Sequence, residues 1–416
     1  MAKAPTPPPA TCPPRPEAKP PSNLNLNAEK RHALIIGAGL AGAAACIALA
    51  RRGWAVSLID AAPGPAQAAS ALPVGMLSPH VTRAPTPLSR LSALGVADTR
   101  AELRRLVPLG QGWQACDIDN LGHDPGRWPA ALVRPAALVQ AWLNEAATLT
   151  PITTLWCKRV HRLTRSSTGG WDALDADGIS MAHGDAAVVA GAWGSFELLG
   201  HSLVGEADLG SALPLRPVKG QMSLGPLSSQ EPPLAPRPQR DNGVFVPCYE
   251  DSLLPPRWPA RIWSMGSTYE RGDDTTHTTE TGHARNFESL AQLSEAGAEH
   301  MREARQKGEL EGWAQVRCAS LDRLPLVGAL PDLAALEQHM AQSGPRRGRM
   351  PLALVPRADG LYSLCALGSR GITLAHGMGA LLGSLMDGEK PVLDADLVQA
   401  LDPARFAWRL ARRQPT

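Results

Sequence analysis

Aromatic side chains are scarce. The 416-residue chain carries 11 Trp, 3 Tyr and 4 Phe, 4% in all, so its core has to be mainly aliphatic. Net charge is nearly absent as well, with 41 Lys and Arg against 39 Asp and Glu, a formal +2. That balance excludes a generally basic nucleic-acid coat and leaves room only for local basic patches. The seven cysteines are Cys12, Cys46, Cys116, Cys157, Cys248, Cys318 and Cys365. Their number is odd and they form no Cys-x-x-Cys pair, which argues against a disulfide framework and a cysteine zinc site and fits reduced thiols in a cytoplasm. The 11 histidines show no metal-ligand spacing, and neither His-Glu-x-x-His nor Gly-x-Ser-x-Gly occurs. No metal is expected, and hydrolase chemistry finds no support.

Long apolar runs are lacking too, with one near-exception. Residues 33–50, ALIIGAGLAGAAACIALA, are uncharged and follow Glu29, Lys30 and Arg31, like a secretory signal. The run starts deep in the chain, its small residues insert weakly, and it holds three glycines at motif spacing. A soluble, cytoplasmic protein without a membrane span is the expectation. Hydrophobic residues at 44% and charged residues at 19% describe a folded chain rather than a disordered one.

Glycine and proline are abundant, at 39 each. Nine of the first 21 residues are Pro, so residues 1–28 read as an extended, disordered tail. Order is expected from His32. Residues 33–36 form a short apolar strand, Gly37 to Gly42 a turn, residues 43–52 an alanine-rich helix stopped by Gly53, and residues 54–59 a second strand ending at Asp60. Further along, helices are expected at 136–147, 284–306 and 371–385. The long middle helix would bury Phe287, Leu290 and Leu293. Strands are expected at 156–163, 171–174, 179–182, 186–190, 242–247, 261–267, 352–357 and 361–367.

Gly37, Gly39 and Gly42 spell G-x-G-x-x-G between a strand and a helix, with Asp60 eighteen positions after the last glycine. The first glycine permits the turn, the second lets backbone approach a pyrophosphate, and the third lets helix and strand pack closely. The helix N-terminus, with Leu40 and Ala41, offers unpaired N–H groups to phosphate. Asp60 is placed to accept ribose hydroxyls and disfavours a 2′-phosphate, so NADP is unsuited. The fingerprint itself leaves NAD and FAD open. Near the other end, residues 360–367 lead into Gly368-Ser369-Arg370-Gly371-Ile372-Thr373 and a helix of small residues. A second glycine turn at a helix N-terminus suits the electron-rich edge of a flavin.

Together with Arg317-Cys318-Ala319-Ser320-Leu321-Asp322-Arg323-Leu324-Pro325-Leu326-Val327-Gly328, these blocks resemble the D-amino-acid-oxidase-like family of FAD-dependent amine oxidoreductases, from about His32 to Arg413. A narrower likeness is to the oxidoreductase halves of bifunctional enzymes that make 5-methylaminomethyl-2-thiouridine in tRNA. It rests on Arg216 to Gln221 (RPVKGQ), Gly266 to Asp273 (GSTYERGD), Asp322 to Gly328, Ala366 to Thr373 and Ala400 to Phe406 (ALDPARF). The resemblance implies an α/β plus antiparallel-β fold. A Rossmann-like FAD-binding domain (29–85, 130–205 and 315–416) would be interleaved with a mixed or antiparallel-sheet substrate domain (86–129 and 206–314). It implies FAD as cofactor and oxidative removal of the carboxymethyl group from 5-carboxymethylaminomethyluridine at the tRNA wobble position. The methylation step would then be absent or fall to another protein.

The resemblance also implies cofactor contacts at Ser70, Gly75, Met76, Val160, Gly191 and Trp193. Two departures from the family lie near the expected flavin pocket: the run Ala69 to Pro79, in which only Ser70 and Gly75 match, and His376 where Pro is common. Arg317 and Arg370 occupy positions where such enzymes bind a carboxylate, with Arg323 as the competitor of Arg317. A guanidinium gives fork-shaped, permanently charged recognition. Lys219 is expected either at the flavin or at the edge of the core, and Tyr269 either capping the substrate or simply packing. Phosphate contacts to tRNA have three candidate clusters: Lys158, Arg159, Arg162 and Arg165; Arg346, Arg347 and Arg349; Arg409, Arg412 and Arg413. A free amino acid such as glycine or sarcosine, oxidised on the same fold, and a flavin-binding protein without catalysis are the competing readings.

Overall fold

The computed structural model describes residues 31–122, 124–203, 209–343 and 350–413. The Pro-rich segment 1–28 and the cluster Arg346, Arg347 and Arg349 lie outside them, as does the side chain of Arg413.

The apolar run that imitates a signal folds as a strand, His32–Ile36, and a helix, Leu40–Ala50, in which every residue except Ala41 is buried. The strand is the hub of a six-stranded sheet in the order Leu326–Pro331, Arg357–Cys365, Ala186–Val189, His32–Ile36, Ala55–Ile59, Ile152–Leu155. All neighbours are parallel apart from the first pair. Such strands are covered on both faces and therefore read as continuous aliphatic runs. Helices Leu40–Ala50, Gly371–Met386, Pro135–Leu149 and Pro87–Leu106 stack on one face, where alanine, glycine and leucine let backbones come close.

A second, nine-stranded sheet follows the order Glu270–Arg271, Leu215–Pro226, Arg261–Gly266, Gly243–Glu250, Gln239–Asp241, Trp113–Asn120, Gly126–Val133, Gly75–Leu77, with Glu311–Ser320 paired along Leu215–Pro226. A three-stranded sheet, Arg162–Arg165, Trp171–Leu174 and Ser180–Gly184, stands beside the parallel one. The fold is thus α/β plus largely antiparallel β.

Several local expectations differ from the structure for identifiable reasons. Helix 284–306 is two helices, Glu280–Leu293 and Glu295–Lys307, because Ser294 leaves helical geometry and its hydroxyl accepts the Gly297 N–H at 3.0 Å. Of the expected buried face, Leu290 is fully buried whereas Phe287 and Leu293 are only partly so. Strand 156–163 does not form. Strands end at Leu155 and resume at Arg162, and the link holds the Asp60 turn through Cys157 N–H to Ala62 O and Lys158 N–H to Asp60 O, both 2.9 Å. Residues Leu352–Leu354 make a 3-10 turn instead of a strand. Helix Pro87–Leu106, placed by sequence in a substrate segment, packs on the helices over the parallel sheet. The expected boundaries at 130 and 315 fall inside the strands Gly126–Val133 and Glu311–Ser320.

Beneath these helices lies a charged knot. The Glu102 carboxylate accepts from Arg51 at 2.8 Å, from Arg105 at 3.1 Å and from the Trp142 indole at 3.0 Å, and Glu145 accepts from the same two arginines. Burial pushes the Glu102 carboxyl up, but the Arg51 hydrogen bond, His376 and Arg105 outweigh it and leave it below its usual value. A carboxyl depressed in the folded state stabilises the fold above the unfolded value, about 4.3, and that contribution fades as pH falls through the folded value. Glu102→Gln should therefore lower unfolding stability by about 3 kcal/mol at neutral pH. In urea titrations its stability should also fall less steeply than the parent's as pH drops below about 4.

Candidate active site

The G-x-G-x-x-G turn is built by contact, as its spacing requires. Gly37 sits at φ +109° and its N–H donates to Ile59 O at 2.8 Å, joining the turn to the second strand. A Cβ on Gly42 would stand 1.7 Å from the Gly37 carbonyl oxygen, so no other residue fits there without moving the turn. Asp60 accepts the Ala38 N–H at 2.6 Å and the Ala62 N–H at 2.8 Å, which holds its carboxylate at the strand end. Helix Leu40–Ala50 begins at Gly39 without a side-chain cap of its own, and the Ser70 hydroxyl accepts the Leu40 N–H at 3.0 Å.

This helix N-terminus opens into a cavity of about 510 Å³, within the size range of small-molecule and cofactor sites. Gly39, Leu40, Ala41, Ser70, Gly75 and Met76 line one part of it, and Gly368, Ser369, Gly371 and Ile372 line another. Two helix N-termini, at Gly39 and at Gly371, thus serve one cavity, and each favours negative charge. The inner face of the large sheet supplies the remaining wall, including Met222, Trp313, Gln315, Arg317 and Tyr269. A largely apolar space with two such helix N-termini fits a dinucleotide flavin.

Arg317 is the most informative side chain of this wall. One terminal nitrogen donates to Ser267 Oγ at 3.0 Å and Ser369 Oγ at 2.9 Å. The other donates to Thr268 O at 2.8 Å and to Lys219 O at 3.3 Å. The guanidinium carbon lies 5.3 Å from the Tyr269 ring centre, and Nε has no partner. Arg317 forms no ion pair with any described residue. Desolvation holds its pKa below the ordinary value, with Tyr269 pulling the other way. A cation kept in a cavity wall without a counter-ion favours an anion beside it. Tyr269, 48% exposed, covers it from the solvent side.

The remaining expected site residues separate into two groups. Gly191 lies between Ala190 and Ala192, which do line the cavity, whereas Trp193 turns aside to stack on Phe196 at 5.4 Å. Arg370 does not line the cavity; its side chain joins the field of Arg323 and Arg240. Thr373 is buried in its helix, where its carbonyl receives the Thr99 hydroxyl. Val160 is a buried loop residue packed with the small sheet rather than part of a strand. Lys219 lies on the other face of its strand from Gly220, which faces Arg317, and its amine meets Thr275 Oγ1 at 3.0 Å and Asp273 at 3.4 Å. It is an edge-of-core residue. His376 is also not at the cavity: it stacks on Trp142 at 5.9 Å and contacts Arg51 at 3.2 Å in the charged knot. Ala69, Leu72 and Val74 of the divergent run do line the cavity.

Trp313, Gln315 and Asn242 were not anticipated from sequence. Trp313, Gln315 and Arg317 alternate along one strand, so period two from Arg317 would have found the first two once that strand was recognised. The candidate tRNA clusters lie elsewhere. Arg165 pairs with Asp359 at 3.2 Å, Arg409 with Asp322 at 3.8 Å, and Arg412 covers Trp408. Lys158, Arg159 and Arg162 are exposed and do not line the cavity. Among the described residues no group of His, Cys, Asp and Glu could hold a metal, and no helix is long and apolar enough to cross a membrane.

A parallel sheet with a dinucleotide fingerprint, set against an antiparallel sheet carrying an unpaired arginine, defines a flavin-dependent oxidoreductase. The chain belongs to the FAD dependent oxidoreductase (DAO) family, whose model matches residues 32–128 and 99–385. It is 34% identical over 436 residues to the tRNA 5-methylaminomethyl-2-thiouridine biosynthesis bifunctional protein MnmC of Delftia acidovorans, and 34% over 426 residues to that of Ralstonia nicotianae. These alignments cover 91% and 92% of this chain and 61% of each relative, so the chain spans about three fifths of their length. The fold matches glycine oxidase from Geobacillus kaustophilus with a TM-score of 0.66 at 17% identity, covering 90% of this chain and 99% of that one. Iminodiacetate oxidase from Chelativorans sp. BNC1 gives 0.63 at 19%, covering 89% and 98%.

Two outcomes test the cofactor assignment. The purified protein should be yellow with bound FAD. Gly42→Ala, which overpacks the turn by about 1–3 kcal/mol, should lower the ratio of flavin to protein absorbance while the far-ultraviolet dichroism of the fold is retained.

Proposed function

We propose that this enzyme oxidatively removes the carboxymethyl group of 5-carboxymethylaminomethyluridine, with or without the 2-thio group, at the wobble position of tRNA. The observation that carries the reading is Arg317, a guanidinium without an ion-pair partner in the wall of the flavin cavity. The substrate's secondary amine bears a carboxylate one carbon away, which matches a site with one fixed cation beside the place of oxidation. The names and identities of the bifunctional relatives support the same substrate.

Bound FAD would supply a two-electron acceptor for the carboxymethyl C–H bond next to the amine. Water adding to the resulting C=N bond would then break it, releasing glyoxylate and leaving the primary amine on the nucleoside. The protein's own work is placement. Arg317, braced by Ser267, Ser369 and the Thr268 carbonyl, fixes the carboxylate, and with it the direction of the carboxymethyl C–H bonds. Tyr269 closes the cavity over the guanidinium, and Met222 and Trp313 give the amine apolar walls. Low polarity there favours the uncharged amine, the form whose lone pair is available. A methyltransferase acting on the primary amine left behind is the partner this reading calls for.

Incubation of the flavin-loaded protein with tRNA carrying the carboxymethylaminomethyl group should convert that nucleoside to the aminomethyl form, read by nucleoside mass spectrometry. Rapid oxidation of free glycine or sarcosine with no change in the tRNA would overturn the assignment. Arg317→Ala should lower kcat/KM by at least about 30-fold, the equivalent of roughly 2 kcal/mol for one buried charge contact. Arg317→Lys should recover only part of that loss, because an ammonium keeps the charge but not the fork.

A further inference from the structure

Arg317 already answers a single carboxylate, yet more positive charge stands close by. Arg240 is the middle residue of the strand Gln239–Asp241, and Asp241 with the following Asn242 lines the cavity. The Arg240 guanidinium donates to Asn120 Oδ1 at 2.9 Å, Ser78 Oγ at 2.8 Å and Pro79 O at 3.2 Å, beside His80. Arg370 stands between Ser369 and Gly371, both of which line the cavity. Its turn is joined by the Ala319–Leu367 bridge to the strand end that leads into Arg323. Arg323 is exposed and held at φ +64°. Arg240, Arg323 and Arg370 form no ion pair with a described residue, and the adjacent Asp322 is committed to Arg405 at 2.8 Å. Asp241, the acidic residue of the cavity wall, pairs with none of them either. The groups feel one another: after desolvation, Arg370, Arg240 and Arg323 hold His80 below its usual value, and Arg323 and Arg240 do the same to Arg370.

Three guanidiniums without a carboxylate partner repel one another and keep His80 from taking up a proton, and an anion among them relieves both. A free amino acid has one carboxylate and would leave them idle. The pyrophosphate of FAD is already served by the helix N-terminus at Gly39 and Ser70. We infer that Arg240, Arg323 and Arg370, with His80, form a phosphate-binding rim at the cavity, which takes the phosphodiester of the nucleotide whose base side chain reaches Arg317. The inference deepens the tRNA reading and rests on it. It places RNA contact at the cavity mouth rather than on the basic clusters at Lys158 to Arg165 or Arg409 to Arg413.

The test measures binding of a fluorescein-labelled anticodon stem-loop RNA to the flavin-loaded protein by anisotropy across a salt series, and removal of the carboxymethyl group from the modified stem-loop. Arg323→Gln, at an exposed position, should weaken RNA binding on the order of tenfold and make the slope of log affinity against log salt shallower by about 0.7, the value for one phosphate on a single strand. Arg302→Gln, on the distant surface of helix Glu295–Lys307, should change neither. Flavin absorbance keeps folding and cofactor loss in view. An Arg323→Gln protein that binds RNA with unchanged affinity and slope, or that loses flavin instead, overturns the rim. If that variant keeps full RNA affinity while the parent still removes the carboxymethyl group, the rim fails and the tRNA reading stands. If RNA binding depends on Arg323 but the modified nucleoside is left untouched, the rim stands and the assigned reaction fails.

Discussion

The architecture turns on how closely the first helix lies against the first strand. With a Cβ at Gly42 barred by the Gly37 carbonyl at 1.7 Å, helix Leu40–Ala50 sits low enough for its N-terminus to open into the cavity. The same closeness demands alanine and glycine where the helices stack, which is why the apolar run looks like a weak signal sequence and why so few aromatics are needed. Helix Gly371–Met386, equally rich in small residues, lies against it and brings a second N-terminus to the same cavity. Two partial positive charges held by backbone geometry thus face one cavity.

The opposite wall uses another kind of positive charge. Arg317 comes from the antiparallel sheet, and its unsatisfied charge is tolerated because two serine hydroxyls and two carbonyls share the guanidinium while Tyr269 shields it. The helices over the parallel sheet therefore turn dipoles toward the cavity, and the antiparallel sheet turns a formal charge toward it. The proposed rim of Arg240, Arg323 and Arg370 would extend the second principle outward and give a chain of near-zero net charge a local hold on RNA.

The cofactor end was readable because its signals are local: glycine spacing, a preceding aliphatic strand, an acidic residue at the next strand end. The wrongly expected elements also have local explanations. Ser294 interrupts a periodic helix by capping the next one, and the 156–161 segment has strand-like residues but spends its backbone N–H groups on the Asp60 turn. Trp113–Asn120, with its irregular alternation of buried and exposed positions, gave little period-two signal. Lys219 and Gly220 show where locality ends. They are adjacent in a recognisable motif, but only pairing with Glu311–Ser320 decides that Gly220 faces Arg317 and Lys219 faces Asp273.

The sequence by itself determined the nucleotide-binding turn, the two small-residue helices and the candidacy of Arg317, since each is a matter of residue type at short spacing. Only the tertiary structure decided which cations face the cavity and which are already spent. It removed His376 to a salt-bridge knot, turned Lys219 away, and assembled Arg240, Arg323 and Arg370 from segments more than forty residues apart. The physical reason is that a charge acquires its role from what surrounds it in space. Partners, burial and competing carboxylates are set by sheet pairing and helix packing, which no short stretch of chain encodes.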